Sequence, residues 1–248
     1  MVITVANQKG GQCKSTTAQA IVSGATARGI KALAIDLDPQ ANLTFSMNGN
    51  QNSAGSYELI TGKAAAADIV QHTEQGDLIA ASTALASADT LLTGNARIMA
   101  LHEGIKAIKR KYKLVVIDTP PTLGTMMLNA LAASDSVIIP ITADIWSLQG
   151  IYMLADTIRQ TQKEHNKKLD IAGVLFTKHS TRTVLERELA DVIKSKCREL
   201  QIPVFKTFIR SGVAVREAQL QRESIFTYAP KSNPAQDYSK LLDELKIK

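Results

Sequence analysis

Residues 9–16 read KGGQCKST, after the apolar run Val2–Ala6 and before a stretch with helical character. A strand, a glycine-bearing loop and a Lys-Ser pair at a helix start are the layout of a phosphate-binding loop. Its backbone N–H groups, backed by the helix N-terminus, make an anion site. Lys14 would reach the β- and γ-phosphates of a nucleotide, and the Ser15 hydroxyl would ligate Mg²⁺. Two positions depart from the usual G-x-x-x-x-G-K-[ST] pattern, with Gln8 and Cys13 standing where glycine is expected. Glycine before the lysine allows special torsions and a close approach to phosphate, so Cys13 implies altered geometry. Lys9, five residues before Lys14, is a charge the ordinary pattern does not require.

Two acidic groups could serve the same site. Asp36-Leu37-Asp38-Pro39 ends an apolar run, and ligands of open α/β sheets bind beyond the carboxyl ends of strands. One carboxylate could hold the hydration shell of Mg²⁺ while the other orients an attacking water. A turn with solvated aspartates is the alternative for that segment. Asp118 follows Leu114-Val115-Val116-Ile117, and a carboxylate after four apolar residues is costly to bury without a cation or donors. Mg²⁺ is its natural partner if the loop binds nucleotide; a capping aspartate is the alternative.

The elements that must position these groups alternate. Strands are expected at Val2–Ala6, Ala32–Asp36, Leu78–Ala81, Leu114–Asp118, Ser136–Pro140, Ile171–Phe176 and Val204–Ile209. Several are continuously apolar, as strands buried on both faces are. Helices are expected at Ser15–Arg28, Ile98–Arg110, Gly124–Ala132, Leu148–His165, Arg182–Leu200, Gly212–Gln221 and Pro234–Leu245. In the Arg182–Leu200 stretch, Val184, Leu185, Leu189, Val192, Ile193 and Leu200 read as one apolar stripe. Residues 41–97 are less regular and read as surface helices and loops. The pattern predicts an α/β fold: one doubly wound, mostly parallel sheet with helices on both faces, residues 1–248 forming a single domain.

Composition bounds the rest. Hydrophobic residues at 45% and charged residues at 21% describe an ordinary globule, and no apolar run is long enough to span a membrane. The N-terminus reads as a strand, not a signal peptide. Cys13 and Cys197 have neither metal-site nor disulfide spacing, and the four histidines are scattered. A cytoplasmic protein is expected. Charge is uneven: residues 1–150 hold 11 basic and 11 acidic residues, whereas 151–248 hold 18 and 12. A basic C-terminal part invites a polyanion such as DNA, or an acidic membrane; solvated helix faces are the alternative.

Taken together, these motifs resemble the ParA/Soj branch of the ParA–MinD ATPases, P-loop NTPases with a deviant Walker A loop. The resemblance spans nearly the whole chain. ANQKGGQCKSTTAQA is similar to the family's ANQKGGVGKTTTA, and IDLDPQANLT to its IDLDPQGNAT. VVIDTPPTLGTMMLNALAASDSVIIPI resembles its third nucleotide motif, and VLFTKHSTRTVLERE and TFIRSGVAVREAQLQRESIFTYAPKSNPAQDY its C-terminal blocks.

The resemblance implies ATP and Mg²⁺ as ligands and slow hydrolysis. Lys9 becomes the signature lysine that crosses to the partner's nucleotide in an ATP-bridged homodimer. Gly10, Gly11, Gln12, Cys13, Lys14, Ser15 and Thr16 become the cradle. Ser15 and Asp118 hold the metal with Asp36 beside it, and Asp38 positions the water. The family also implies a face for nonspecific double-stranded DNA, and Arg182 matches an arginine used there. The second such arginine falls on Ala214, and Arg210 and Arg216 flank it and could substitute. No helix-turn-helix precedes Val2, so operator recognition is not expected. A ParB-like centromere-binding partner would stimulate hydrolysis, and a nucleoid-associated location follows. Two alternatives stand beside this reading. A MinD-like membrane ATPase should end in a basic amphipathic helix, whereas residues 237–248 are electrically mixed and suit packing on the core. A nucleotide-gated switch with little hydrolysis is motivated by Cys13.

Overall fold

The computed structural model describes residues 1–88, 96–180 and 184–247. Seven strands form one sheet: β1 Val2–Val5, β2 Ala32–Asp36, β3 Gln71–Thr73, β4 Gly76–Ile79, β5 Leu114–Asp118, β6 Ser136–Ile141 and β7 Asp170–Phe176. Their order is β3-β4-β2-β5-β1-β6-β7, and every neighbouring pair is parallel except β3–β4. The α-helices among the described residues are α1 Lys14–Ala27, α2 Asn42–Ser46, α3 Ser56–Ile60, α4 Ala96–Ile105, α5 Thr125–Ala133, α6 Ser147–Glu164, α7 Val184–Glu199, α8 Val213–Leu220, α9 Ile225–Tyr228 and α10 Asn233–Glu244.

The strands' period-two alternation decides which helix covers which face. Ile3, Ala34, Leu114 and Val116 pack with α1 and with Ala218, Ile225, Tyr238, Leu241 and Leu242 of α8–α10. The next residues along, Val2, Leu33, Val115 and Ile117, pack with Leu101, Ile105, Met126 and Ala130 of α4 and α5. A third cluster joins Val137, Ile139, Val174 and Phe176 to Leu131, Ile151, Leu154, Ile158, Ile193 and Cys197. Asp36 and Asp118 share the strand parity of Ala34 and Val116, so both carboxylates emerge on the α1 side.

The C-terminal helix docks on the core, as the mixed charge of its sequence suggests. Gly24 of α1 permits the close approach, since a Cβ there would collide with Leu242 Cδ1 and with Phe226. Arg28 staples the end of the chain to α1, donating to Asp243 Oδ1 at 2.8 Å and Ile247 O at 2.7 Å. No helix among the described residues is long and apolar enough to cross a membrane.

Three expectations are corrected. Residues 204–209 are not a strand: their backbone joins β7 through an isolated parallel bridge between Val174 and Val204, with Phe205 N donating to Val174 O, and a hydrogen bond from Ile209 N to Phe176 O. The backbone N–H groups of Lys206 and Thr207 instead donate to the Glu244 carboxylate, at 2.8 and 3.0 Å. The seventh strand is β3, whose sequence Gln-His-Thr carries no apolar signal because it is a short antiparallel edge. On α7 the buried positions are Ala190, Ile193 and Cys197, while Val184, Leu185 and Val192 are exposed. The small side chains of Ala190 and Cys197 face the core on either side of Ile193, so the helix is rotated away from the stripe that the larger residues suggest.

Candidate functional site

The floor of the site lies where β1, β2 and β5 end together. Asp36 and Asp118 are register partners on adjacent strands, and both are fully buried. Asp36 is used up within the protein. Its Oδ1 accepts Asp38 N at 3.0 Å, and its Oδ2 accepts Thr44 N and Thr44 Oγ1 at 2.8 and 2.7 Å. Burial nevertheless pushes its carboxyl up to about 6, against the pull of those hydrogen bonds. Asp118 is different. Its Oδ1 accepts Thr119 N at 3.1 Å, but its Oδ2 is buried with no hydrogen-bond partner. Burial, and then the nearby Asp36, raise its carboxyl well above the usual range, while Ser15 and Lys14 pull it down. An unpartnered buried carboxylate oxygen beside a lysine and a serine suits a hard cation whose ligands are oxygens.

Residues 6–13 connect β1 to α1 over this floor. Cys13 adopts φ 61°, ψ 28°, the left-handed conformation natural to glycine. The chain therefore keeps the turn that the missing glycine would make, at a cost of about 1–2 kcal/mol. Gly11 is also left-handed at φ 74°. No heavy atom lies within 4 Å of a Cβ built on Gly10 or Gly11, so the loop is open to a ligand on that side. Lys14 is buried, and burial lowers its pKa while Asp118 and Asp38 raise it. Its Nζ donates to Lys9 O at 3.3 Å.

Above the floor is a cleft of about 900 Å³, lined by Gly10 to Thr16, Asp38, Gln40, Lys178, Arg210, Arg216 and Gln219 among others. Asp38 Oδ1 accepts Gln40 N at 3.0 Å. Arg210 and Arg216, expected at a DNA face, both line this cleft. Arg210 is held in a bidentate pair with the buried Asp237, Nε to Oδ2 at 2.8 Å and Nη2 to Oδ1 at 2.7 Å. Arg216 is exposed and makes no ion pair among the described residues. Arg182 lies outside the described residues.

Residues 1–171 match the family model described as an AAA domain. The Bacillus subtilis sporulation initiation inhibitor protein Soj is 34% identical over 249 residues, covering 98% of this chain and 97% of its own. The chromosome-partitioning ATPase Soj of Treponema pallidum is 33% identical, covering 96% and 94%. This chain belongs to the ParA/Soj family of P-loop ATPases. Its fold agrees with that of cobyrinic acid a,c-diamide synthase from Mycobacterium smegmatis solved with an ATP analogue and magnesium. That structure has a TM-score of 0.88, 29% identity and coverage of 99% of this chain and 93% of the other.

Several residues of this ParA/Soj chain matter at the site without standing out in its sequence. Thr44 immobilises Asp36. Lys178 reaches across from the end of β7 to Gly11 O at 3.0 Å, and Gln219 donates to Thr16 Oγ1 at 2.9 Å. The Gln12 Oε1 accepts from the Thr142 backbone N–H and from the Thr142 hydroxyl, tying the loop to the end of β6. Asp144 pairs with Lys9, Nζ to Oδ2 at 2.8 Å. Burial raises the Asp144 pKa, but hydrogen bonds from Lys9 and Thr142 outweigh it and hold the group below the usual carboxylate range. Asp144 alone had a signal: an aspartate in a turn can accept backbone N–H groups two residues on, and it stands just before a helical stretch.

Proposed function

We propose that the chain is a DNA-segregation ATPase whose ATP-bound form is a sandwich dimer that holds nonspecific DNA. The observation that carries this is the pair of lysines on one loop, Lys14 buried over the carboxylates and Lys9 half-exposed and turned to Asp144. One lysine serves a triphosphate in its own subunit. The second has no work there, and it suits the phosphates of a partner subunit.

In this reading Gly10 through Thr16 cradle the phosphates, Ser15 and Asp118 hold Mg²⁺, and Asp36 shapes the loop that presents Asp38. Mg²⁺ held there would supply charge neutralisation for the triphosphate. Asp38 orients a water for in-line attack: a bond from water oxygen to the γ-phosphorus forms as the bond to the departing ADP oxygen breaks, with no covalent enzyme intermediate. Two triphosphates at one interface are a dense anionic patch that Lys9 from each side offsets. Pairing is therefore favourable with ATP and forfeits that advantage after hydrolysis.

Arg182, Arg210 and Arg216 would contribute to a cationic surface that doubles on dimerisation and contacts phosphates without reading bases. A ParB-like centromere-binding partner would stimulate hydrolysis and release, placing the protein in the cytoplasm on the nucleoid. The burial of Leu241 and Leu242 of α10 against α1 speaks against a membrane-seeking tail, and the single sheet supports one domain across residues 1–248. The test is to size the protein by light scattering with ATP, ADP or neither, with and without duplex DNA. A dimer only with ATP, carrying DNA only as a dimer, is expected; lone subunits with Mg²⁺ and ATP would overturn it.

A further inference from the structure

We infer that Asp144 is a positioning residue that parks Lys9 within its own subunit and so sets how readily ATP pairs two subunits. This rests on the role proposed above for Lys9. In the single subunit the Lys9 ammonium is 2.8 Å from Asp144 Oδ2, with the two side chains 39% and 30% exposed. The carboxylate does not merely drift past the lysine. Its Oδ1 accepts Trp146 N and Ser147 N at 3.0 and 3.1 Å at the start of α6, and its Oδ2 also accepts the Thr142 hydroxyl.

The Lys9 backbone is anchored as well. Its N–H donates to Asn7 Oδ1 at 2.9 Å, and Asn7 Nδ2 donates to Pro140 O at 2.6 Å. Both ends of the ion pair are thus seated on β6 and the turn after it. A lysine that must cross an interface has to break this pairing first, so the pair opposes dimerisation. Lys14 Nζ rests on Lys9 O, so a triphosphate drawing Lys14 toward itself also removes a hydrogen bond that steadies the Lys9 backbone. The pair is partly exposed, which keeps the opposition small enough for a triphosphate to overcome. An ion pair of this exposure biases Lys9 by roughly two- to five-fold, and two per dimer make roughly four- to twenty-five-fold.

Asp144→Asn separates this role from the capping of α6. Asparagine keeps an Oδ1 acceptor for Trp146 and Ser147, and loses the charge opposite Lys9. Sedimentation velocity of full-length wild type, Asp144→Asn, Asp144→Glu, Lys9→Ala and the Lys9→Ala/Asp144→Asn double variant would be run across subunit concentrations, with Mg²⁺ and either ATP or ADP. The expected result is that Asp144→Asn lowers the concentration for half-dimerisation in ATP by the factor above and leaves ADP samples monomeric. Asp144→Glu should restore wild-type behaviour, and Asp144→Asn should have no effect once Lys9 is alanine. A fluorescent ATP analogue should bind single subunits of wild type and Asp144→Asn alike. If wild type dimerises with ATP, Lys9→Ala does not, and Asp144→Asn matches or falls below wild type, Asp144 is no latch and the sandwich reading survives. If wild type stays monomeric in ATP, or Lys9→Ala dimerises as well as wild type, the sandwich reading fails and the latch with it.

Discussion

The floor and the rim of the cleft use charge in opposite ways. On the floor, Lys14, Asp36 and Asp118 are buried, close together and displaced from their ordinary ionisation, first because burial strips their charged forms of water and then because charges out of water feel one another strongly. On the rim, Lys9, Lys178, Arg210 and Arg216 keep access to solvent, and the first three are each held by specific partners within the chain. The floor can grip a polyphosphate tightly, but its groups cannot rearrange cheaply. Apart from the pair of Arg210 with the buried Asp237, the rim interactions are partly exposed, weak and reversible.

Lys14→Ala should break the floor most severely. Losing the buried ammonium should weaken ATP binding on the order of 100-fold, read by calorimetry, because a charge-assisted hydrogen bond inside the protein has no solvent replacement. Retained tight binding would remove the loop from the site.

Asp118→Asn tests the same floor from the other side. Replacing a carboxyl that burial and Asp36 hold well above its ordinary ionisation range should stabilise the ligand-free protein at neutral pH by about 1–3 kcal/mol, raising its melting temperature by several degrees, while turnover falls on the order of 100-fold. A variant no more stable than wild type would mean the carboxylate is better solvated than its burial implies. The pH dependence follows the same logic. The Asp36 carboxyl moves from 3.8 to about 6 on folding, so the folded chain keeps a proton that the unfolded chain gives up. That contribution to stability is present below pH ~4 and is lost as pH rises through about 6. Melting of the ligand-free protein between those values, with Asp36→Asn as control, checks the sign.

Cys13→Gly sharpens the boundary between floor and rim. It removes about 1–2 kcal/mol of left-handed strain but adds about 0.5–1 kcal/mol of chain entropy cost, so stability should change by about 1 kcal/mol or less. Turnover should rise a few-fold as the loop relaxes around phosphate. An unchanged rate would show that Cys13 does not restrain hydrolysis.

Arg216→Glu tests the rim and should have the smallest effect. DNA affinity should drop several-fold, and the salt dependence should flatten by about one unit of slope for each phosphate no longer neutralised. Arg210→Glu is a poorer probe, since it leaves the buried Asp237 carboxylate without its partner and opposite a second negative charge.

The floor was legible because its signals are local. A glycine-bearing loop between an apolar run and a helix, and carboxylates directly after apolar strands, put identity and position in the same few residues. The rim was not. Lys9 is separated from Asp144 by 135 residues, and Lys178 from Gly11 by 167, so only chain topology brings them together. The irregular span after residue 41 hid β3, because a three-residue polar edge has no periodicity to read. The basic C-terminal part was visible as composition, yet composition did not reveal that Arg210 is spent on Asp237 while Arg216 stays exposed.

Sequence alone determined the alternating α/β order, the glycine-bearing loop after the first strand and the acidic groups beneath it. Each is encoded within one strand–turn–helix unit, where backbone propensity and burial pattern act over short distances. Tertiary structure alone decided which carboxylate is free and which is spoken for. Asp36 and Asp118 look equivalent as strand ends, but the donors of Thr44 reach only one of them. Ionic partners are chosen by proximity in space, and proximity is set by how the sheet orders its strands.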